Sequence, residues 1–223
     1  MKSRKTIAIL PARGGSKRIP YKNIKELGGI PLIVHSINYA KLNSNIIDDI
    51  YVSTDDIKIK KIAIANGVKV IDRPDNISGD NEPTITAIQH LLEVVEDIDD
   101  IILLQPTNPF RPKTLLQEAY KLFSELKLNS LFTVTKDEKK LGKIENNIYK
   151  PFNYKIGQRS QDLEPLFFED GLLYIITSET IKQGFIISDN AYPLVVNHTF
   201  SKVDIDTNED FEYAEYIYNK LKK

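Results

Sequence analysis

The stretch "ARGGSKRIPYKN" (residues 12–23) sets two glycines among the cations Arg13, Lys17, Arg18 and Lys22. It follows an apolar run, "TIAIL" (6–10), and leads to a segment of helical spacing that begins at "PLIVHS". In a strand, glycine-rich loop and helix, backbone N–H groups converge and glycine permits close approach, so the chemistry on offer is the binding of an anion, phosphate above all. The spacing is neither the G-x-x-x-x-G-K-[ST] of a P-loop nor the G-x-G-x-x-G of a dinucleotide fold. With about twenty residues between strand and helix, the loop is long enough to wrap a triphosphate. The competing reading is a solvated basic loop, the ordinary fate of a charge run.

The rest of the chain makes that basicity local. Lys+Arg number 30 against 31 Asp+Glu, a net charge of -1, so the overall basic field of a nucleic-acid-binding protein is missing. No cysteine is present, which excludes disulfides, thiolate metal sites and cysteine nucleophiles and fits a reducing compartment. His35, His90 and His198 form no metal-ligand spacing. No apolar run reaches signal-peptide length or the ~20 residues of a membrane span. The expectation is a soluble, cytoplasmic protein without nucleic-acid or membrane partners.

The elements that must position the loop alternate regularly. "TIAIL" (6–10), "IYVST" (50–54), "VKVI" (68–71), "IILLQ" (101–105), "LFTVT" (131–135), "LLYIIT" (172–177) and "YPLVV" (192–196) read as strands, several of them apolar on both faces, as a helix-covered parallel sheet requires. Segments 31–42, 56–67, 82–96, 112–126 and 208–221 carry helical spacing, with Pro31, Pro83 and Pro112 suited to first turns and Gly67 to a helix end. The alternation predicts an α/β fold, a doubly wound, mostly parallel, Rossmann-like three-layer sheet, in one domain over residues 1–223. Residues 136–170 break the rhythm. They are charged, yet Ile144, Ile148, Tyr149, Phe152, Phe167 and Phe168 are many apolar side chains to leave in water. A β-rich arm is expected there, closing over a site or packing on a second subunit as a homodimer.

Four ordered motifs together carry a resemblance: "ARGGSKRIPYKNI", "RPDNISGDNEPT" (73–84), "LLQPTNPFR" (103–111) and "VDIDTNEDF" (203–211). The sequence resembles the acylneuraminate (sialic acid) cytidylyltransferases, within the wider sugar-nucleotidyltransferase superfamily, over nearly its whole length. That family transfers CMP from CTP to the anomeric hydroxyl of an α-keto sugar acid, releasing pyrophosphate, with Mg²⁺. The resemblance implies that Arg13, Gly14, Ser16, Lys17, Lys22 and Asn23 surround the triphosphate, Arg13 and Lys22 stabilising the α-phosphate and the departing pyrophosphate.

On the same resemblance, Arg73 falls at the cytosine pocket, where a guanidinium suits the O2 and N3 acceptors; an ion pair with Asp72 or Asp75 is the alternative. Asp80 and Thr84 fall on the nucleotide side, with Asp80 also a candidate cap for the helix at Pro83. Gln105, Thr107 and Arg111 follow a buried strand, the place where open α/β sheets carry ligands, and would face the sugar acid or the nucleotide. Arg111 suits a carboxylate, though it could equally begin the next helix as a surface residue. Arg159, at the polar end of the arm, would reach the sugar carboxylate of its own or a partner's site. Asp204 and Asp206, two apart, aim both carboxylates to one face of an extended segment, where Mg²⁺ is the natural occupant and Asp206 the catalytic member. Otherwise Asp206 caps the last helix, in competition with Thr207, while Glu209 and Asp210 support the helix dipole.

The chain departs from the pattern "RRQDLP…YRENGAIY" in "QRSQDLEPLFFEDGLLY" (158–174), with Phe168 and Asp170 at the arginine and asparagine positions. That region helps select the sugar acid, so N-acetylneuraminate and acetamido-dideoxy relatives such as legionaminate both stay open. The rivals are another sugar nucleotidyltransferase, for 3-deoxy-octulosonate or with GTP as donor, and a silent nucleotide-binding module.

Overall fold

The computed structural model describes residues 4–221. In chain order the strands are β1 (Thr6–Pro11), β2 (Glu26–Leu27), β3 (Ile30–Pro31), β4 (Asp49–Thr54), β5 (Lys69–Asp72), β6 (Asp100–Leu103), β7 (Ser130–Asp137), β8 (Gly142–Glu145), β9 (Ile148–Pro151), β10 (Leu166–Thr177) and β11 (Tyr192–Val195). The helices are α1 (Leu32–Leu42), α2 (Ile57–Ala65), α3 (Thr84–Val94), α4 (Leu115–Glu125), α5 (Ser178–Lys182) and α6 (Asn208–Leu221). The main sheet has seven strands in the order β11-β7-β10-β6-β1-β4-β5. β1 pairs in parallel with β4 and β6, β4 with β5, and β11 with β7; β10 alone runs antiparallel, between β6 and β7.

Burial explains the continuous apolar strands. Ala8 and Leu10 of β1 face a cluster with Ile33 and Ile37 of α1 and Leu115 and Leu116 of α4. Ile7 and Ile9 face the other layer, with Ile88 and Leu91 of α3 and Ile181 of α5. A third cluster joins Ile19 of the glycine-rich loop to Val203, Ile205, Phe211 and Ile217, so packing against α6 anchors a loop that has little regular structure of its own.

From β1 the chain builds outward through β4 and β5, then crosses back to place β6 on the other flank of β1. That reversal leaves a crevice beyond the carboxyl ends of β1 and β6, the expected ligand position of a doubly wound sheet.

β10 carries a register shift between Glu169 and Tyr174, with Gly171 at φ 73. The positive φ favours glycine, and a Cβ there would stand 2.8 Å from Asn108 Oδ1. Outside the bulge, Leu166 to Phe168 pair with Asp137 to Thr135, extending β7 and β10 as a stem. β8 and β9 form a hairpin turned on Asn146 and Asn147 at φ 52 and 63, the left-handed pair that a two-residue hairpin turn demands. Ile144, Ile148, Phe152, Ile156 and Phe167 are exposed on this excursion.

Candidate active site

A cleft of about 540 Å³ opens at the switch point, walled by Pro11, Arg73, Gln105 and Thr107 from the strand ends and by loop residues of 13–23 and 77–84. Arg13, Ser16, Lys17, Lys22, Asn23, Arg73, Asp80, Thr84, Gln105, Thr107, Asp204 and Asp206 all line it, as does Arg18. Thus the four sequence motifs, far apart in the chain, contribute to one cavity.

The loop is pinned from within. Buried Asn23 donates from Nδ2 to the Arg13 carbonyl at 3.0 Å, and Ser16 N–H donates to the Gly14 carbonyl at 3.0 Å. Gly14 lies outside the cavity lining; its N–H donates to Asp55 Oδ1 at 2.8 Å, and a Cβ would lie 2.7 Å from Asp56 Oδ2. Gly14 therefore lets the loop cross α2's capping residue closely, since Asp56 itself accepts from Lys58 N and Ile59 N.

The cations divide between two carboxylates. Arg13 donates to Asp80 Oδ1 at 2.7 Å, and Lys17 pairs with the other oxygen of Asp80. Lys22 donates to Asp206 Oδ1 at 2.9 Å, and Arg18 stands 3.6 Å from Asp206 Oδ2. The Lys17 hydrogen bond, with Arg13 behind it, holds the Asp80 carboxyl below its ordinary range. Asp80 does not cap α3, whose N-cap is Pro83 without a side-chain hydrogen bond.

Arg73 is nearly buried. Its Nε donates to Ser53 Oγ at 3.1 Å and its Nη2 to the Ser53 carbonyl at 2.7 Å, so β4 fixes the fork at the cleft wall. Burial lowers its pKa from the ordinary arginine value. Asp72 pairs instead with Lys60, at 2.7 Å.

Two expected substrate contacts lie elsewhere. Arg111 is neither a cavity residue nor a surface residue. It is 5% exposed and donates to the Leu172 carbonyl at 2.5 Å, Ser36 Oγ at 3.0 Å and the Gln105 carbonyl at 2.9 Å. Burial brings its pKa down to about 10. Three acceptors use its fork, so it braces the floor beneath Gln105 and β10. Arg159 is exposed on the arm, pairs with Asp162 at 2.8 Å, and is absent from this chain's own cleft wall. Asp170 is buried too: it accepts from Thr133, from Thr135 Oγ1 at 2.8 Å and from Leu172 N–H at 3.1 Å. Its carboxylate faces inward hydrogen bonds, and burial raises its pKa.

Thr207 wins the competition to cap α6. Asp210 N–H donates to Thr207 Oγ1 at 3.2 Å, and Asp210 Oδ2 accepts from Thr207 N–H at 2.8 Å, a reciprocal box. Asp206 is thereby released toward the cavity. Asp204 opens onto the same cavity, yet the surrounding protein desolvates it and raises its pKa, opposed by a Thr107 hydrogen bond and reinforced by Asp206. Two neighbouring carboxylates and no softer donor form a hard-oxygen set that fits Mg²⁺ completed by phosphate oxygens. Among the described residues no group of three His, Cys, Asp or Glu gathers into an all-protein metal cage.

Sequence reasoning missed Ser53, which orients Arg73, and Asn108, which stands in the quoted "QPTNPFR" but shows its role only when β10 is placed beside it. No helix among the described residues is long and apolar enough to cross a membrane.

A family model described as cytidylyltransferase matches residues 7–222. The pseudaminic acid cytidylyltransferase of Campylobacter jejuni is 36% identical over 225 residues, covering 96% of each chain. The N-acylneuraminate cytidylyltransferase of Streptococcus agalactiae is 32% identical over 215 residues, covering 93% of this chain and 52% of that relative. Among solved structures, a CMP:2-keto-3-deoxy-manno-octonic acid synthetase complexed with CTP shares the fold, with a TM-score of 0.74 at 17% identity over 97% of this chain and 99% of that one. A cleft that gathers the loop cations, Arg73 and a carboxylate pair at the switch point, in a chain that the cytidylyltransferase family model matches over residues 7–222, belongs to a nucleotidyl-transferring enzyme of the cytidylyltransferase family.

Proposed function

We propose that this cytidylyltransferase moves CMP from CTP to the anomeric hydroxyl of a nonulosonic acid, forming a CMP-sugar acid and pyrophosphate. The observation that carries the reading is the convergence of Arg13, Lys17 and Lys22 with Asp204 and Asp206 on one cleft. The names of the relatives, a pseudaminic acid and an N-acylneuraminate cytidylyltransferase, support the acceptor class.

In this reading Arg73, held by Ser53, donates to the O2 and N3 acceptors of cytosine. Arg13 and Lys17 take the outer phosphates, and Lys22, fixed at the base of the loop, faces the α-phosphate. Ser16, Asn23 and Thr84 complete the nucleotide wall, and Gln105 and Thr107 face the sugar acid. The hydroxyl oxygen attacks the α-phosphorus in line as the bond to the pyrophosphate oxygen breaks, and the hydroxyl proton leaves to solvent water. Positioning and charge neutralisation supply most of the acceleration in such transfers. Asp204 and Asp206 would hold Mg²⁺, which when bound adds charge stabilisation at the phosphate oxygens.

The arm supports a homodimer, since the exposed Ile144, Ile148, Phe152 and Ile156 need cover that its own domain does not give. A partner's site is then the place for Arg159. The composition supports a cytoplasmic location.

Pyrophosphate release from the purified protein tests the reaction, with CTP, UTP, GTP and ATP against pseudaminate, N-acetylneuraminate, N,N'-diacetyllegionaminate and 3-deoxy-octulosonate. Release with CTP and one of the nonulosonates is expected; release with 3-deoxy-octulosonate alone, or with no acid, overturns the reading. Light scattering at micromolar concentration tests the assembly: a mass near 25.5 kDa with full activity would reject the dimer.

A further inference from the structure

Asn108 is fully buried, and both polar atoms of its amide are hydrogen-bonded, Nδ2 to two segments distant in the chain. Nδ2 donates to the Asp170 carbonyl at 3.0 Å and to the Val203 carbonyl at 3.2 Å. These two acceptors fix the amide's orientation, which turns Oδ1 toward Thr107 Oγ1 at 3.2 Å and toward Gly171. Val203 immediately precedes Asp204, and Asp170 belongs to the bulge of β10. The same joint is closed by Ile205 N–H donating to the Thr107 carbonyl at 2.9 Å.

We propose that Asn108 is a positioning residue for nucleotidyl transfer: its amide clamps the Val203–Asp206 segment to the β10 bulge, fixing the carboxylate pair against the acceptor wall at Gln105 and Thr107. The residue type follows from the geometry. Aspartate would set a carboxylate against two carbonyl oxygens, and serine is too short to bridge both. The bulge needs glycine for the same reason, because a Cβ at Gly171 would meet both Asn108 Oδ1 at 2.8 Å and Gln105 Oε1 at 3.2 Å. The clamp thus fills the space between the acceptor wall and the carboxylates, and a small displacement there lengthens the path of the attacking hydroxyl.

The inference rests on the reading of Asp204 and Asp206 as metal carboxylates, so the experiment carries Asp204→Asn as its reference. Asn108→Ser and Asn108→Gln are compared with wild type in thermal melting, in kcat and KM for both substrates, in Mg²⁺ activation, and in Mn²⁺ binding followed by electron paramagnetic resonance with CTP present. Expected for both Asn108 variants are a kcat lower by ~30-fold, a CTP KM within ~3-fold of wild type and a metal midpoint raised by ~10-fold. Wild-type kcat and wild-type Mn²⁺ affinity in a folded variant would overturn the clamp. If Asn108→Ser loses its cooperative melt, Asn108→Gln decides, since it keeps the amide and fills the space while displacing both donors. If Asp204→Asn binds Mn²⁺ as wild type does, the metal reading falls, and the clamp then stands or falls on kcat alone.

Discussion

Lys22 Nζ lies 2.9 Å from Asp206 Oδ1 and 2.8 Å from the Ile205 carbonyl oxygen, so the segment that bears the carboxylates also fixes a cation of the glycine-rich loop. Lys22 is the least exposed loop cation in these pairs, with 14% of its side chain in solvent against 31% for Arg13, 70% for Arg18 and 79% for Lys17. Its place does not depend on Asp206 alone. Asp206→Asn should therefore leave the loop and CTP binding largely intact while cutting kcat by ~100-fold or more through lost metal coordination. Steady-state kinetics with CTP calorimetry checks this; near wild-type turnover at saturating Mg²⁺ would remove Asp206 from the metal site.

Asp80 and a triphosphate claim the same two cations, Arg13 and Lys17. Asp80→Asn should free them and tighten inhibition by pyrophosphate. Exposed ion pairs are weak, so a ~2- to 5-fold lower inhibition constant is expected. An unchanged or higher constant would make Asp80 a ligand in its own right.

Arg111 tests the division between floor and wall. Its lysine variant has no planar fork to serve the carbonyls of Leu172 and Gln105 together with Ser36. One buried acceptor left unpaired costs ~1–3 kcal/mol, which for a chain of this size lowers the melting temperature by ~2–12 °C. KM for both substrates should stay within ~3-fold. An unaltered melt with a raised KM for the sugar acid would return Arg111 to the substrate.

Asp170 gives a pH dependence of stability. Burial raises its native pKa, and Thr135 Oγ1, with one proton, faces both Asp170 Oδ2 and the Val196 carbonyl at 2.8 Å. An acid whose pKa is higher in the folded state contributes fully at low pH, and that contribution is lost as pH rises from the ordinary carboxyl range through the raised value. Asp170→Asn can donate to Thr135 and carries no buried charge. It should melt higher than wild type at pH 8, with the advantage shrinking toward pH 4; a lower melt at pH 8 would show that the carboxylate is needed ionised.

The strands that pack between two helical layers were legible because both their faces are apolar, as Ile7 to Leu10 show. The direction of β10 was not, since "LLYIIT" buried on two faces reads alike in either sense. The hairpin carried a local sign, the Asn146–Asn147 pair, but its apolar residues face solvent and give no core pattern. In the site, the loop cations and the carboxylates were legible as charges with no core role. Arg111 misled because its partners are backbone carbonyls, which any sequence supplies and only the fold brings within reach. Asn108 escaped for the same reason: two of its three partners are carbonyls of segments distant in the chain.

β10 runs for 12 residues through its bulge, at most about 40 Å of chain at ~3.3 Å per residue. In mechanical terms it is a lever. Its outer end stands in the stem of the arm, its inner end is hydrogen-bonded to β6 at the sheet centre, and its fulcrum is the bulge held by Asn108. Whatever grips the arm at the surface pulls on the same rod that shapes the floor of the cleft.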